Sequence, residues 1–127
     1  MGNFSGRFLR VVDEICATHF EYPKEAYFFV YEALGFAVHA LDLDPDQHLS
    51  GEELIRVGVV PLAFKRWDFL AMKVLEYWNI FCSEDIGKIV QHLVTASVFN
   101  KSSTDCLEDF SAVDLKMTLE SLVTSNC

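Results

Sequence analysis

Two segments of this chain describe helix starts in such detail that they restrict it to a largely helical fold. In YPKEAYFFV, at 22–30, Tyr22 precedes a proline and is biased toward extended backbone, while Pro23 suits the first position of a helix, where no N–H bond is lost. Glu25 adds negative charge at the positive end of that helix. In HLSGEEL, at 48–54, Ser50 and Glu53 have the spacing of a capping box, and Leu49 can staple the approach to it.

Apolar periodicity extends this plan along the chain. Phe8, Val11, Val12, Ile15 and Phe20 predict a first helix over 5–19. The second runs from Pro23 to about Leu41, with Tyr27, Val30, Leu34, Ala37 or Val38, and Leu41 facing the core. Phe28, Phe29 and Phe36 fall partly outside that stripe and either widen the buried face or form an exposed patch; the first is expected, and the second would offer a partner surface. A polar connection over 42–49 leads to the capped helix, which is expected to end near Pro61. Trp67, Leu70, Ala71, Val74, Leu75 and Trp78 share one face of a helix over 66–79, which Asn79 can close in the left-handed conformation. Ser83 is expected to cap the next helix, with Glu84 and Asp85 in its first turn and Ile86, Ile89, Val90, Leu93 and Val94 as its stripe. Beyond it, short segments at 98–101 and 107–110 flank a polar stretch and predict a small β-hairpin. A last helix is expected over 111–122 on Val113, Leu115, Leu119 and Leu122, followed by a frayed tail.

The expected fold is therefore mostly α: one compact helical domain over 1–127. Its portion at 66–122 reads as a helix-turn-helix plus short β-hairpin, a winged-helix-like plan.

With 127 residues, 51% of them apolar, the chain can bury one core without metal or disulfide staples. The formal charge of −9 disfavours phosphate backbones and anionic membrane surfaces as partners. No apolar stretch approaches the length of a membrane span, and no leader pattern is legible, so the chain reads as cytoplasmic. Cys16, Cys82, Cys106 and Cys127 lack CxxC spacing and fit scattered reduced thiols. Eleven phenylalanines exceed what a small core needs and suggest a protein interface or self-association.

Candidate chemistry is thin. On the would-be recognition helix Lys88, Gln91, His92 and Thr95 are expected to be exposed, but Glu84 and Asp85 beside one lysine make a weak phosphate surface. Asp42, Asp44, Asp46, Ser50 and Glu53 occupy EF-hand-like positions. However, Gln47 stands where that loop needs glycine, and Glu53 is already the capping partner. His48 and Glu52 are four apart and form the best metal candidate within the 42–53 stretch, short of a further convergent ligand. Cys82 lies near a helix start, yet Glu84 and Asp85 oppose its thiolate. Tyr27 reads as a core residue whose hydroxyl reaches a polar partner, and periodicity divides Tyr22, Tyr27, Tyr31 and their neighbouring glutamates between faces. No phosphate loop, nucleotide fingerprint, serine elbow or paired-cysteine zinc motif is present, so no catalytic residue or cofactor is assigned.

In combination, YPKEAYFFV, HLSGEEL, AMKVLEYWNI (71–80), SEDIGKIVQHLV (83–94) and DCLEDF (105–110) resemble the Minf-type proteins, a small bacterial family found in planctomycetes and verrucomicrobia. The match spans roughly 8–119. It departs at Asn79, where the family has glycine, at Cys82 and Gln91, and over 58–65. The resemblance implies a single cytoplasmic domain and no particular reaction. It marks Tyr22, Pro23, Tyr27, His48, Ser50, Gly51, Glu53, Trp78 and Asp85 as the family's recurring residues. The function expected from the sequence is a non-enzymatic protein-interaction or structural module. The alternatives are a small metal-dependent or small-molecule enzyme centred on His48 and Glu52, and a nucleic-acid-binding winged-helix-like protein.

Overall fold

The computed structural model describes residues 6–42, 50–96 and 114–125. Helices α1 (Gly6–Thr18) and α2 (Lys24–Leu41) follow the predicted stripes. Phe8, Val12 and Ile15 of α1 are buried, and α2 buries a broad face through Ala26, Tyr27, Phe29, Val30, Ala33 and Ala37. Phe28 and Phe36 are half-buried against the same core, so the phenylalanines do widen the buried face. Phe20 departs from expectation: α1 stops before it, and the ring is 85% exposed. Pro23 precedes α2 with extended backbone at φ −74° and ψ 163°. Asp42 closes the helix in the left-handed region at φ 52°.

The capping box forms as the sequence specifies, with Glu53 N–H donating to Ser50 Oγ at 3.1 Å and Ser50 N–H to Glu53 Oε1 at 3.0 Å. Its helix does not end near Pro61. After the single turn α3 (Gly51–Glu53) the chain widens into a π-helical stretch, Leu54–Val59, and continues through the proline as α4 (Val60–Trp67). Val60 N–H bonds to Ile55 O, five residues back rather than four. Pro61 thus falls in the first turn of a renewed α-helix, where a missing N–H costs least. Gly58 sets how closely this stretch approaches α2. A Cβ there would collide with the Ala33 carbonyl oxygen and lie 3.1 Å from Ala37 Cβ. Helix α2 makes its most extensive contact in the fold here.

The helix predicted over 66–79 is two pieces. Asp68, at φ 53° and ψ −129°, ends α4, and a 3-10 turn (Asp68–Leu70) leads into α5 (Ala71–Tyr77). In an unbroken helix Trp67 and Trp78 would stand about 16 Å apart. The break instead brings their rings to 5.5 Å, edge to face, with Phe29 at 5.3 and 5.8 Å from them. Leu70 is consequently turned outward. Asn79 does take the left-handed conformation, at φ 66°. Ile80 N–H bonds to Leu75 O and Asn79 N–H to Glu76 O, both at 2.9 Å, the paired bonds of a Schellman end.

Helix α6 (Ser83–Thr95) buries Ile86, Ile89, Val90 and Leu93, while Val94 is half-buried. Helix α7 (Leu115–Ser125) runs past its expected end, and the Asp114 carboxylate accepts from Met117 N–H at 2.9 Å at its start. Buried side chains from α1 through α7 join in one core.

Among the described residues there is no strand, so the winged-helix-like plan over 66–122 is not the fold. Helix α5 packs chiefly on α4 and α7 and α6 on α2, rather than the two forming a helix-turn-helix pair. The segments read as a hairpin, at 98–101 and 107–110, lie outside the described residues, as does Val113. No helix among the described residues is long and apolar enough to cross a membrane.

Candidate functional site

Polar side chains converge where the joint between α1 and α2 meets the joint between α5 and α6. Tyr22 is 4% exposed, and its hydroxyl donates to Asp85 Oδ1 at 2.5 Å. The other Asp85 oxygen accepts from the backbone N–H groups of Phe81 at 2.8 Å and Cys82 at 3.2 Å. The residue preceding α6 is therefore Cys82, and the expected cap, Ser83, is the helix's first residue and is buried. Asp85 fastens this helix start and ties it to the α1–α2 joint. A second tie runs from Asn79 Nδ2 to the Glu21 carbonyl at 2.9 Å.

These bonds set the charge states. Burial pulls the Asp85 carboxyl upward, but hydrogen bonds from Tyr22, Phe81 and Cys82 outweigh it and hold the group below its ordinary value. Burial and the bond to Asp85 push the Tyr22 phenol well up, so it remains a donor. The Cys82 thiol is pushed up by burial and then by the nearby Asp85 and Glu84 carboxylates. That environment disfavours a nucleophilic thiolate, in keeping with the charges flanking it in sequence.

Behind this tie lies a second polar pair. Tyr27 is fully buried, as its predicted role requires, and its hydroxyl sits 2.8 Å from His92 Nδ1. The His92 ring stacks on His19, with centroids 4.0 Å apart and planes 14° apart. Burial, then His19 and Lys88, lower the His92 pKa against the pull of Glu21. With His92 neutral, a tautomer protonated at Nε2 lets Nδ1 accept a hydrogen bond from the Tyr27 hydroxyl, so that buried hydroxyl has a partner. His92 is thus half-buried, not exposed as the recognition-helix reading required. Lys88 from the same set lies 3.8 Å from Glu21; Gln91 and Thr95 remain exposed.

Beside these groups opens a cleft of about 640 Å³, bordered by Phe20, Tyr22 and Pro23 on one side and Tyr77, Trp78 and Asn79 on the other, with Cys16, His19, Lys24 and Glu25 in its wall. Its volume is in the range of small-ligand and side-chain pockets. Phe20 and Tyr77 are each 85% exposed. A smaller hollow of about 400 Å³ lies between α1 and α6, and His19 borders both.

The sequence candidates fare differently. His48, Asp44 and Asp46 lie outside the described residues. Glu52 is engaged with Arg56 Nε at 2.9 Å across one helical turn. Ser50 and Glu53 hold one another, and Asp42 is the left-handed end of α2. Among the described residues no group of three or more His, Cys, Asp or Glu side chains is placed to hold a metal ion. Tyr31 packs on Phe8 with the rings tilted by 40°, and Glu32 pairs with Arg66 at 2.8 Å, both away from Tyr22, as the division between faces implied.

Sequence reasoning found these residues singly but not the site they build. The Tyr22–Asp85 and Tyr27–His92 bonds join residues 63 and 65 positions apart, beyond the reach of any local pattern. Tyr22, Pro23, Tyr27, Trp78 and Asp85 all gather at this corner, although nothing local in the sequence marks them as neighbours. No protein-family model matches the chain, and neither the curated proteins nor the solved structures yield a match.

Proposed function

We propose that this chain is a non-enzymatic, cytoplasmic protein-interaction module whose docking face is the cleft between the α1–α2 and α5–α6 joints. The observation that carries this reading is the pair Phe20 and Tyr77: both rings are 85% exposed, and both border the same cleft. Large aromatic rings gain most from burial in a partner, and clusters of them rim protein-binding surfaces. The phenylalanines that the sequence offered as an alternative exposed patch are elsewhere: Phe29 is buried, and Phe28 and Phe36 are half-buried against the core. Hydrogen bonds from Tyr22 to Asp85 and from Asn79 to the Glu21 carbonyl tie together the two joints that wall the cleft, which favours a preorganised surface. The thiols near this corner, Cys16 and Cys82, are both pushed up by burial, which disfavours a nucleophilic thiolate, and the Minf-type resemblance likewise implies no reaction.

The test is affinity capture from cells producing the tagged chain near native abundance, beside the Phe20→Ala/Tyr77→Ala double variant. A stoichiometric protein partner that is retained by the wild type and lost from the double variant is the expected result. Equal recovery by both, with the variant's helical circular dichroism unchanged, would sink the assignment to this face.

A further inference from the structure

We infer that the cleft takes an arginine-bearing, extended segment of its partner, a proposal that rests on the docking reading above. Aromatic faces at the rim and carboxylates around it are the two features that an arginine guanidinium satisfies together. Its planar cation lies flat on a ring while its N–H fork reaches carboxylate oxygens. The exposed rings are Phe20 and Tyr77. Glu25 lines the cleft beside Lys24, and three more carboxylates are next to residues of this corner in sequence: Glu21 between Phe20 and Tyr22, Glu76 before Tyr77 and Glu84 before Asp85.

The nearby lysines do not cancel this field. Lys24 is paired with Asp13 at 3.5 Å and Lys88 with Glu21 at 3.8 Å, which leaves Lys73, one turn before Tyr77, against Glu25, Glu76, Glu84 and Asp85. The local balance is acidic within a chain of formal charge −9, so a cationic segment is drawn toward this corner and an acidic one repelled. Arginine is favoured over lysine because its weakly hydrated cation loses less on leaving water for an aromatic surface.

The experiment titrates the full isotope-labelled chain with an acetylated, amidated peptide of alternating glycine and arginine and follows backbone amide shifts. Matched peptides carrying lysine or glutamate replace it in parallel. Shifts concentrated at Phe20, Glu25 and Tyr77 to Asn79 are expected with the arginine peptide, weaker ones with lysine and none with glutamate. Phe20→Ala and Tyr77→Ala, at sites too exposed to disturb the fold, should each weaken the arginine peptide about fivefold, and Glu25→Gln should weaken it about twofold. Lysine binding as tightly as arginine, or Tyr77→Ala leaving the affinity unchanged, would mean undirected charge attraction and overturn the proposal. If the arginine peptide leaves the corner unmoved while the captured partner is still lost from the Phe20/Tyr77 double variant, this partner class is wrong and the docking face stands. If both results are negative, both readings fall.

Discussion

The two ends of α2 are held in opposite ways. Near its C-terminal end, Ala33 and Ala37 meet the π-helical stretch at Gly58, and the contact is dry, close and made by the absence of side chains. At its N-terminal end, the buried Tyr22 and Tyr27 reach Asp85 and His92, and the contact is made by directed hydrogen bonds. Shape complementarity tolerates no added atom but is indifferent to acid. A hydrogen-bonded tie tolerates changes of volume better and responds to each partner's proton. The cleft opens at the second end, where polar anchors leave aromatic faces uncovered instead of filling the space with apolar side chains.

The largest effect should come from the dry end. Gly58→Ala forces a methyl group into the Ala33 carbonyl, which can yield only if α2 and the π stretch separate. A loss of about 3 kcal/mol is expected, read as a lowered denaturation midpoint at unchanged slope. A loss below about 0.5 kcal/mol would show that the contact can relax and would break the contrast between the two ends.

At the polar end, Asp85→Ala removes the acceptor of two backbone N–H groups together with that of Tyr22. We expect it to cost about 2 kcal/mol, and Tyr22→Phe about 1 kcal/mol, since the phenylalanine keeps the volume and loses one charge-assisted bond. The double variant should cost less than the sum, because both changes break the same bond. Strict additivity in chemical denaturation would mean that the tie contributes nothing of its own.

Acid should separate the two ends more finely. His92 has a folded pKa below its ordinary 6.5, so the unfolded chain takes the proton first. Its contribution is intact above 6.5 and is lost as pH falls from there through the folded value. Asp85, held below 3.8, keeps its contribution above 3.8 and loses it only as pH falls further, through its own folded value. Thermal midpoints measured from about pH 7 down to pH 5 should therefore fall by a few degrees in the wild type and stay flatter in His92→Gln. Gly58→Ala should leave the slope of that profile as it is. Identical profiles for wild type and His92→Gln would remove His92 from the account.

What was legible in the sequence follows the same division. Local chemistry was readable: the Ser50–Glu53 box and the left-handed Asn79 each depend on neighbours within a few positions, and each has the expected geometry. The winged-helix plan and the helix end at Pro61 were misread because they turn on tertiary facts. Gly58 draws the chain against α2 and the helix passes the proline by changing register, while Asp68 breaks what looked like one uninterrupted stripe. At the site, Tyr27 was recognised as a buried residue in need of a partner, but nothing near it in sequence pointed to His92. Phe20 fitted an apolar stripe and lies outside the helix that would have buried it. A periodic pattern shows which residues suit a helix face; it carries no information on where the helix stops being wound.

The smallest effect tests the capping box against the Asp85 tie, two devices that satisfy helix N–H groups differently. Among the described residues, the side chains of Ser50 and Glu53 bond to one another's backbone, at 3.1 and 3.0 Å, and to no other element. Asp85 caps α6 and also holds Tyr22. Ser50→Ala should therefore cost about 1 kcal/mol, an isolated cap's contribution. Combined with Tyr22→Phe it should be additive, because the two sites share no partner. Coupling between them larger than about 0.5 kcal/mol would mean that the two ends of α2 communicate through the helix itself, and the contrast between a shape-held end and a bond-held end would have to give way to a single cooperative unit.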